Sequence, residues 1–374
     1  MKTQKPTRTI FGTGLIALDA VFSESDKQPK LWAGGTCGNV LTILSFLGWK
    51  SFPIARLNGD PASRLVKKDM EKWGVRLDFA SLEPTSHTPV VIQRIKRNSA
   101  GQLFHRFSWH CPKCGGWLPT YKPVLASAAG QVAARLGTPT VFFMDRLSCG
   151  ALALAQVCAA NGAVVVFEPS GLGDKKLFRQ ALEVSHIVKY SSDRITHLNE
   201  FATSKAPLLQ IETLGAEGLR FKCHTSGYKT DRWQELEAFR ITGIKDAAGA
   251  GDWCTAGILD KAACGGLQEL KRLSKRKLQD ALRFGQALAT WNCRFEGARG
   301  GMYVTSRNRF DEEIQKILAG NPSVPRPEPS LRLASNILEC FCPRCRGGNG
   351  VNTGTRGTRD NASTSRLGMR SRRE

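Results

Sequence analysis

Several things are missing from this 374-residue chain, and each absence removes a class of function. No apolar run approaches the roughly 18 residues that a membrane-spanning helix needs. The opening MKTQKPTRTIFGTG is basic but lacks the apolar stretch of a secretory signal, so a cytoplasmic protein is expected. There is no G-x-x-x-x-G-K-[ST], which excludes a P-loop enzyme. The first strand is not followed by G-x-G-x-x-G, because Gly12-Thr13-Gly14 lacks a third glycine, which argues against a Rossmann dinucleotide site. Protein-kinase motifs of the H-R-D and D-F-G type are absent too. His87, His105, His186, His197 and His224 show no ligand-like spacing. Acidic residues are scarce: 32 Asp and Glu stand against 54 Lys and Arg, a net charge of +22.

What remains is a chain 41% hydrophobic and 23% charged, which is globular in composition and long enough to bury a large core. Residues 8–19 read as a strand, a glycine turn and a second extended run. A helix is expected over 38–48, a strand from Ser51, and a helix closing at Gly74. Segment 88–108 reads as a β-hairpin broken at NSAG. From residue 139 strands and helices alternate, through TVFFM, ALALAQVCAAN, AVVVFEP, LFRQALEV and HIVKY to PLLQIET. That rhythm predicts a parallel sheet with helices on both faces. Further helices are expected at 252–264 and 277–293. NPSVPRPEPS (321–330), with its four prolines, can be neither helix nor central strand, and reads as a linker. Beyond it, residues 331–374 carry nine arginines against three acids; 349–374 has the composition of a disordered basic tail.

The most informative text is Asp246-Ala-Ala-Gly-Ala-Gly-Asp252-Trp-Cys-Thr-Ala-Gly257. Small residues at 247–251 let backbone N–H groups converge, and a helix starting near Asp252 adds its dipole, which favours phosphate oxygens. A carboxylate at that place can accept the proton of a hydroxyl approaching the phosphate, as phosphoryl transfer requires. Read by itself, the same tetrapeptide is also a helix N-cap after a flexible turn.

Twelve cysteines fall into two groups. Eight are scattered, mostly in apolar stretches, as buried thiols are. The other four form two C-P-x-C turns, Cys111/Cys114 and Cys342/Cys345. Two such turns can supply the four thiolates of a tetrahedral structural zinc site even from distant parts of the chain. His110 and Cys340 are substitute ligands; a redox dithiol, or two unrelated surface turns, are the other readings.

In its ordered motifs the chain resembles the ribokinase-like (PfkB-type) carbohydrate kinases over about residues 9–305. The turn Asp246–Gly257 is similar to that family's C-terminal motif, Gly34-Gly35 followed by Asn39 to its N-terminal motif, and Thr213-Leu-Gly215-Ala-Glu-Gly218 to its nucleotide-side turn. The resemblance implies a three-layer α/β/α sandwich with a small β lid at about 88–108. It implies a kinase domain over 1–320; the cysteine spacing adds a knuckle at 110–116 and a second knuckle segment at 331–348 as appendages. It further implies ATP and Mg²⁺ as cosubstrate and metal, and a sugar-like acceptor. Asp252 would be the base, and the amides of Gly249, Ala250 and Gly251 the anion hole. Asp19, Gly35 and Asn39 would hold the acceptor; Asp145 and Arg146 would either face it or serve as a surface or capping pair. Thr213, Gly215 and Gly218, with Asp246 and Gln286, would border ATP. One motif departs: the family's N-x-x-E reads Ser191-Ser192-Asp193-Arg194, so Asp193 replaces the acid or Arg194 meets phosphate directly. Two alternatives stay open at this stage: a nucleoside kinase of the same fold, and a retired kinase scaffold acting as a zinc-ribbon nucleic-acid binder, which the net charge would suit.

Overall fold

The computed structural model describes residues 8–23, 28–81, 86–97, 103–196, 198–201, 203, 205–321 and 341–346. The hairpin tip 98–102, the proline-rich stretch from 322, residues 331–340 with Cys340, the basic end from 347, and His197 lie outside the described residues.

The chain begins with β1 (Thr9–Thr13), β2 (Ala17–Phe22), β3 (Lys30–Gly34), α1 (Thr36–Phe46), β4 (Lys50–Ile54) and α2 (Pro61–Lys72). The expected hairpin follows as β5 (Val90–Arg97) and β6 (Leu103–Ser108). Alternation then sets in with α3 (Ala126–Leu136), β7 (Val141–Met144), α4 (Cys149–Ala160), β8 (Val164–Phe167), α5 (Lys175–Val184), β9 (Ile187–Ser191) and β10 (Leu209–Thr213). A β-ribbon, β11 (Leu219–His224) and β12 (Lys229–Leu236), leads to α6 (Ala250–Ile258). The last helices are α7 (Gly266–Lys271), α8 (Lys275–Asn292), α9 (Gly300–Val304) and α10 (Arg307–Leu318).

Eight strands form one sheet in the order β12-β11-β10-β9-β8-β7-β1-β4. It is parallel from β4 to β10, as the alternation predicts, but β11 and β12 add an antiparallel edge. Those two strands follow one another directly with no intervening helix, so only antiparallel pairing is open to them. The central strands VFFM and VVVF are buried on both faces, as parallel strands covered by helices must be. Their residues divide by parity. Val141, Phe143, Val164 and Val166 face a core built with α1, α2, α6, α8 and α10, whereas Phe142, Met144, Val165 and Phe167 face α3, α4 and α5. This is the three-layer sandwich. Among the described residues no helix is long and apolar enough to cross a membrane.

A second sheet, in the order β3-β2-β5-β6, stands over the strand ends. The lid is therefore larger than the hairpin 88–108. β2 pairs in parallel with β5 and antiparallel with β3, a strand that its short KLWAG text did not announce.

Five of these ten helices start on a side-chain cap. Asp60 accepts the Ser63 N–H (2.7 Å), Ser148 that of Ala151 (3.0 Å) and Asp174 that of Leu177 (2.8 Å), each satisfying an orphan donor. α6 differs: it starts two residues before Asp252, on Gly249, with no side-chain cap. The helix expected over 252–264 continues from Ile258 as a π-helical turn, Leu259–Ala263, where Asp260 accepts from Arg8 (2.7 Å) and Trp49 (2.9 Å). The body of α6 is clamped from two sides. Gly257 lies so close to α8 that a Cβ would sit 2.7 Å from the Gly285 Cα. Trp253 packs on Trp291 with ring centroids 5.2 Å apart, and Trp291 on Phe310 at 4.8 Å.

Candidate active site

Where α6 points under the lid, a cavity of about 650 Å³ opens. Its walls include Asp19, Gly35, Asn39, Arg146, Thr213, Gly249, Gly251 and Asp252, eight of the residues singled out from the sequence. Lid residues Val91, Gln93, His105 and Phe107 close it from above.

The uncapped helix start produces an anion-seeking surface. Gly249 is left-handed (φ 73°), and the Ala250 N–H turns back to the Ala247 carbonyl at 3.2 Å. The N–H groups of Gly249, Gly251 and Asp252 have no partner among the described residues, so three free donors converge at the positive end of the helix dipole. Ala250 itself does not line the cavity, which removes it from the expected anion hole; its amide is spent within the turn. The turn is wedged from behind. A Cβ on Gly249 would lie 2.3 Å from the Ala298 carbonyl oxygen, and Asn292 Nδ2 donates to the carbonyls of Ala248 (3.3 Å) and Ala298 (3.1 Å).

Asp252 accepts from Asn39 Nδ2 at 2.7 Å. Burial, with the negative charge of Glu168 added to it, pushes its carboxyl up to about 7, against the opposing pull of Asn39, Lys189 and Arg194. Glu168 is in turn held by Lys189 Nζ (2.7 Å) and the Thr255 hydroxyl (2.5 Å). Deeper under the lid, burial raises the Asp19 carboxyl to about 7, opposed by Arg299 and the Gly35 amide. Room for that carboxylate exists because residue 34 is glycine: a Cβ there would lie 1.9 Å from Asp19 Oδ2.

Sequence reasoning missed Arg299. Fully buried, its guanidinium donates to Asn39 Oδ1 (3.0 Å), Asp69 Oδ2 (2.8 Å) and the Ala33 carbonyl. It therefore fixes the Asn39 amide so that Nδ2 faces Asp252. No local pattern in CRFEGARGG marks it, because its partners lie 230 and 260 residues away. The Glu168–Lys189–Thr255 group was also missed; a Glu just past β8 and a Lys inside the neighbouring buried strand β9 were the available signal.

Other expectations are corrected. Asp246 is fully buried and bonds the amides of Ala248 (2.7 Å) and Gly297 (2.8 Å), so it buttresses the turn and does not border the cavity. His105 of the lid reaches the same carboxylate at 3.0 Å, in contact but without hydrogen-bond alignment. Asp145 is likewise buried away from the cavity; it accepts from the Leu15 amide (2.9 Å) and from Arg146 (2.6 Å), and burial raises its carboxyl to about 6. Arg146 alone of that pair faces the cavity. Gln286 and Gly218 meet elsewhere, at Leu236: Gln286 Nε2 donates to its carbonyl (3.0 Å), and a Cβ on Gly218 would lie 2.2 Å from the same oxygen. Neither they nor Gly215 line the cavity.

The four paired cysteines do come together. All their sulfurs lie within 4.8 Å of one another.

A helical N-terminus that gathers amides and a carboxylate beneath a β lid, on a doubly covered α/β sheet, defines a class: kinases of small hydroxylated molecules with the ribokinase-like fold. The pfkB family carbohydrate kinase model matches residues 15–303, and the chain belongs to this family. No curated protein matches the sequence. Among solved structures, the fructokinase from Xylella fastidiosa with bound ATP is 17% identical, with a TM-score of 0.61, over 78% of this chain and 93% of that one. The ribokinase from Giardia lamblia is 15% identical with a TM-score of 0.62, over 83% and 99%. A nucleoside kinase from Burkholderia thailandensis, in complex with inosine, is 15% identical with a TM-score of 0.60, over 84% and 98%. These likenesses establish the ribokinase-like fold.

Proposed function

We propose that the protein transfers the γ-phosphate of ATP to a hydroxyl of a small sugar-like acceptor held beneath the lid, with Asp252 as the base. The observation that carries this reading is the juxtaposition of a buried carboxylate, raised to about 7, with the free amides of Gly249 and Gly251 in one cavity. The acceptor hydroxyl gives its proton to Asp252 as its oxygen bonds to the γ-phosphorus. The bond from phosphorus to the β–γ bridging oxygen breaks, and ADP leaves with that electron pair. Charge gathering on the phosphoryl oxygens meets the amides at the start of α6, which are already oriented and need no reorganisation. Asp19 and Asn39 orient the acceptor, and Thr213 borders the nucleotide.

The nucleotide would carry Mg²⁺, which would supply charge neutralisation at the phosphates. Of the carboxylates lining the cavity, Glu168 is engaged by Lys189 and Thr255, which leaves Asp193 beside Ser191 to face a metal-bound phosphate. Arg194 also lines the cavity, has no side-chain partner among the described residues, and is near enough to lower the Asp252 carboxyl. It is suited to meet a phosphate oxygen directly.

A nucleoside acceptor is the second reading, favoured by two half-exposed lid-side rings that line the cavity, Phe107 and Trp109, 48% and 45% exposed. Such rings can stack on a flat base. ADP release is to be measured across pentoses, hexoses and nucleosides, with wild type and Asp252→Asn. The accepted compound should be turned over about 10²- to 10⁴-fold more slowly by the variant; equal rates would overturn the proposal. Preference for nucleosides, lost in Trp109→Ala, would select the second reading.

A further inference from the structure

The kinase chemistry uses none of the four clustered thiols. Cys111 Sγ lies 3.8 Å from Cys345 Sγ, and Cys114 Sγ 3.5 Å from Cys342 Sγ, across 234 and 228 residues of chain. A tetrahedron of sulfurs around zinc, with Zn–S near 2.3 Å, has edges of about 3.8 Å. A disulfide would bring two sulfurs to about 2.05 Å, and unrelated surface turns would not bring four together. The observed spacing is that of ligands around one ion.

Both turns are built to present sulfur. In the first, the Cys111 N–H donates to the Gly116 carbonyl (2.8 Å), the Gly115 N–H to the Cys111 carbonyl (3.0 Å), and Gly115 takes a φ of 68°. In the second, Phe341 and Cys342 are buried in the main core, and the one-turn helix Pro343–Arg346 closes with the Arg346 N–H on the Cys342 carbonyl (3.0 Å). The turns fit against each other: a Cβ on Gly116 would meet Arg344 carbons at 3.2 and 3.3 Å. Lys113, Arg344 and Arg346 are interleaved with the ligands and offset the double negative charge of a zinc tetrathiolate.

The site's place in the fold gives it a task. Strand β6 ends at Ser108, Trp109 lines the cavity mouth, and Cys111 follows two residues later. The Leu118 N–H donates to the Trp109 carbonyl (2.8 Å), and His110 packs against Trp117 with centroids 4.2 Å apart and ring planes tilted by 42°, so the knuckle is the continuation of the lid strand. We propose that Cys111, Cys114, Cys342 and Cys345 bind one structural zinc ion that staples segment 341–346 to the root of the lid and holds Trp109 at the cavity mouth. Four protein ligands close the coordination sphere, so the ion has no catalytic part.

The test uses the full chain, purified under reducing conditions without added chelator. Metal analysis should find one zinc per chain, released on thiol modification, and retained by Cys149→Ser but lost from Cys342→Ser/Cys345→Ser. Absence of metal, an iron tetrathiolate spectrum, or a disulfide found by mass spectrometry would each overturn the assignment. Hydrogen exchange then tests the staple. On zinc removal, peptides covering 103–118 should exchange at least tenfold faster while strands β7 and β8 do not change, and added zinc should restore protection. Unchanged exchange at 103–118 in zinc-free protein would overturn the staple. If the double variant does not fold, the same comparison on wild type, stripped by a chelator and reloaded, gives the answer.

Discussion

Replacing Asp252 by Asn is expected to slow transfer about 10²- to 10⁴-fold and yet stabilise the fold, by an amount that grows with pH. In the folded protein burial, aided by Glu168, lifts this carboxyl to about 7 from an ordinary 3.8. The unfolded chain ionises it at the ordinary value, so between these limits the folded state holds the proton more tightly. Stability is therefore undiminished below about pH 3.8, falls as pH rises, and levels off above 7. One unit is worth about 1.4 kcal/mol, so keeping the carboxylate inside the fold costs about 4 kcal/mol at pH 8 and about 2 kcal/mol at pH 5. Asparagine carries no charge at either pH and retains an oxygen to accept from Asn39 Nδ2. The variant should gain about 2–3 kcal/mol more at pH 8 than at pH 5. For about 320 ordered residues, 1 kcal/mol moves Tm by about 1.5 °C, so the Tm advantage should be about 3–5 °C larger at pH 8. Thermal melts of both proteins at the two pH values, at matched ionic strength, make the measurement. A Tm difference independent of pH would refute the argument, because Asp252 would then carry no buried-charge penalty.

Three other outcomes follow from the same geometry. Gly249→Ala must place a Cβ 2.3 Å from the Ala298 oxygen at a φ of 73°, and should lose about 2–4 kcal/mol in urea denaturation together with turnover. Gly34→Ala, whose Cβ would lie 1.9 Å from Asp19 Oδ2, should raise the acceptor KM at least tenfold while the ATP KM moves less; equal effects on both would place Asp19 outside the acceptor site. Because the base must be ionised, kcat/KM should climb with pH and flatten above about 7. A flat profile between pH 5.5 and 8 would exclude Asp252 as the base.

Much of this molecule was legible in the residues because its signals are local. Runs such as VFFM and VVVF announce strands covered on both faces, and the glycines around Asp252 announce a helix start that gathers amides. What escaped was set by distant partners. Arg299 reads as a surface arginine until Asn39 and Asp69 fold against it. Asp246 opens the motif that ends at Gly257 and was expected to border ATP, yet its carboxylate is consumed by the amides of Ala248 and Gly297. Strand β3 is five residues of mixed polarity, and only its pairing with β2 makes it a strand. The clustering of the cysteine pairs was legible as a possibility of their spacing, and the first pair's position directly after the hairpin put a shared site beside the lid; that the four sulfurs meet is what the tertiary structure adds.

The bond chain Arg299–Asn39–Asp252 spans 260 and 213 residues of sequence. Contacts so far apart are slow to form, since the loops between them must close before they reward the chain. During synthesis most of the parallel sheet can pair while residue 299 is still unmade, so sheet formation and site assembly are separate events in time. A fragment ending before Arg299 would leave Asn39 free to turn away from Asp252. Chains interrupted there would carry much of the scaffold without the bond chain that positions Asn39 against Asp252.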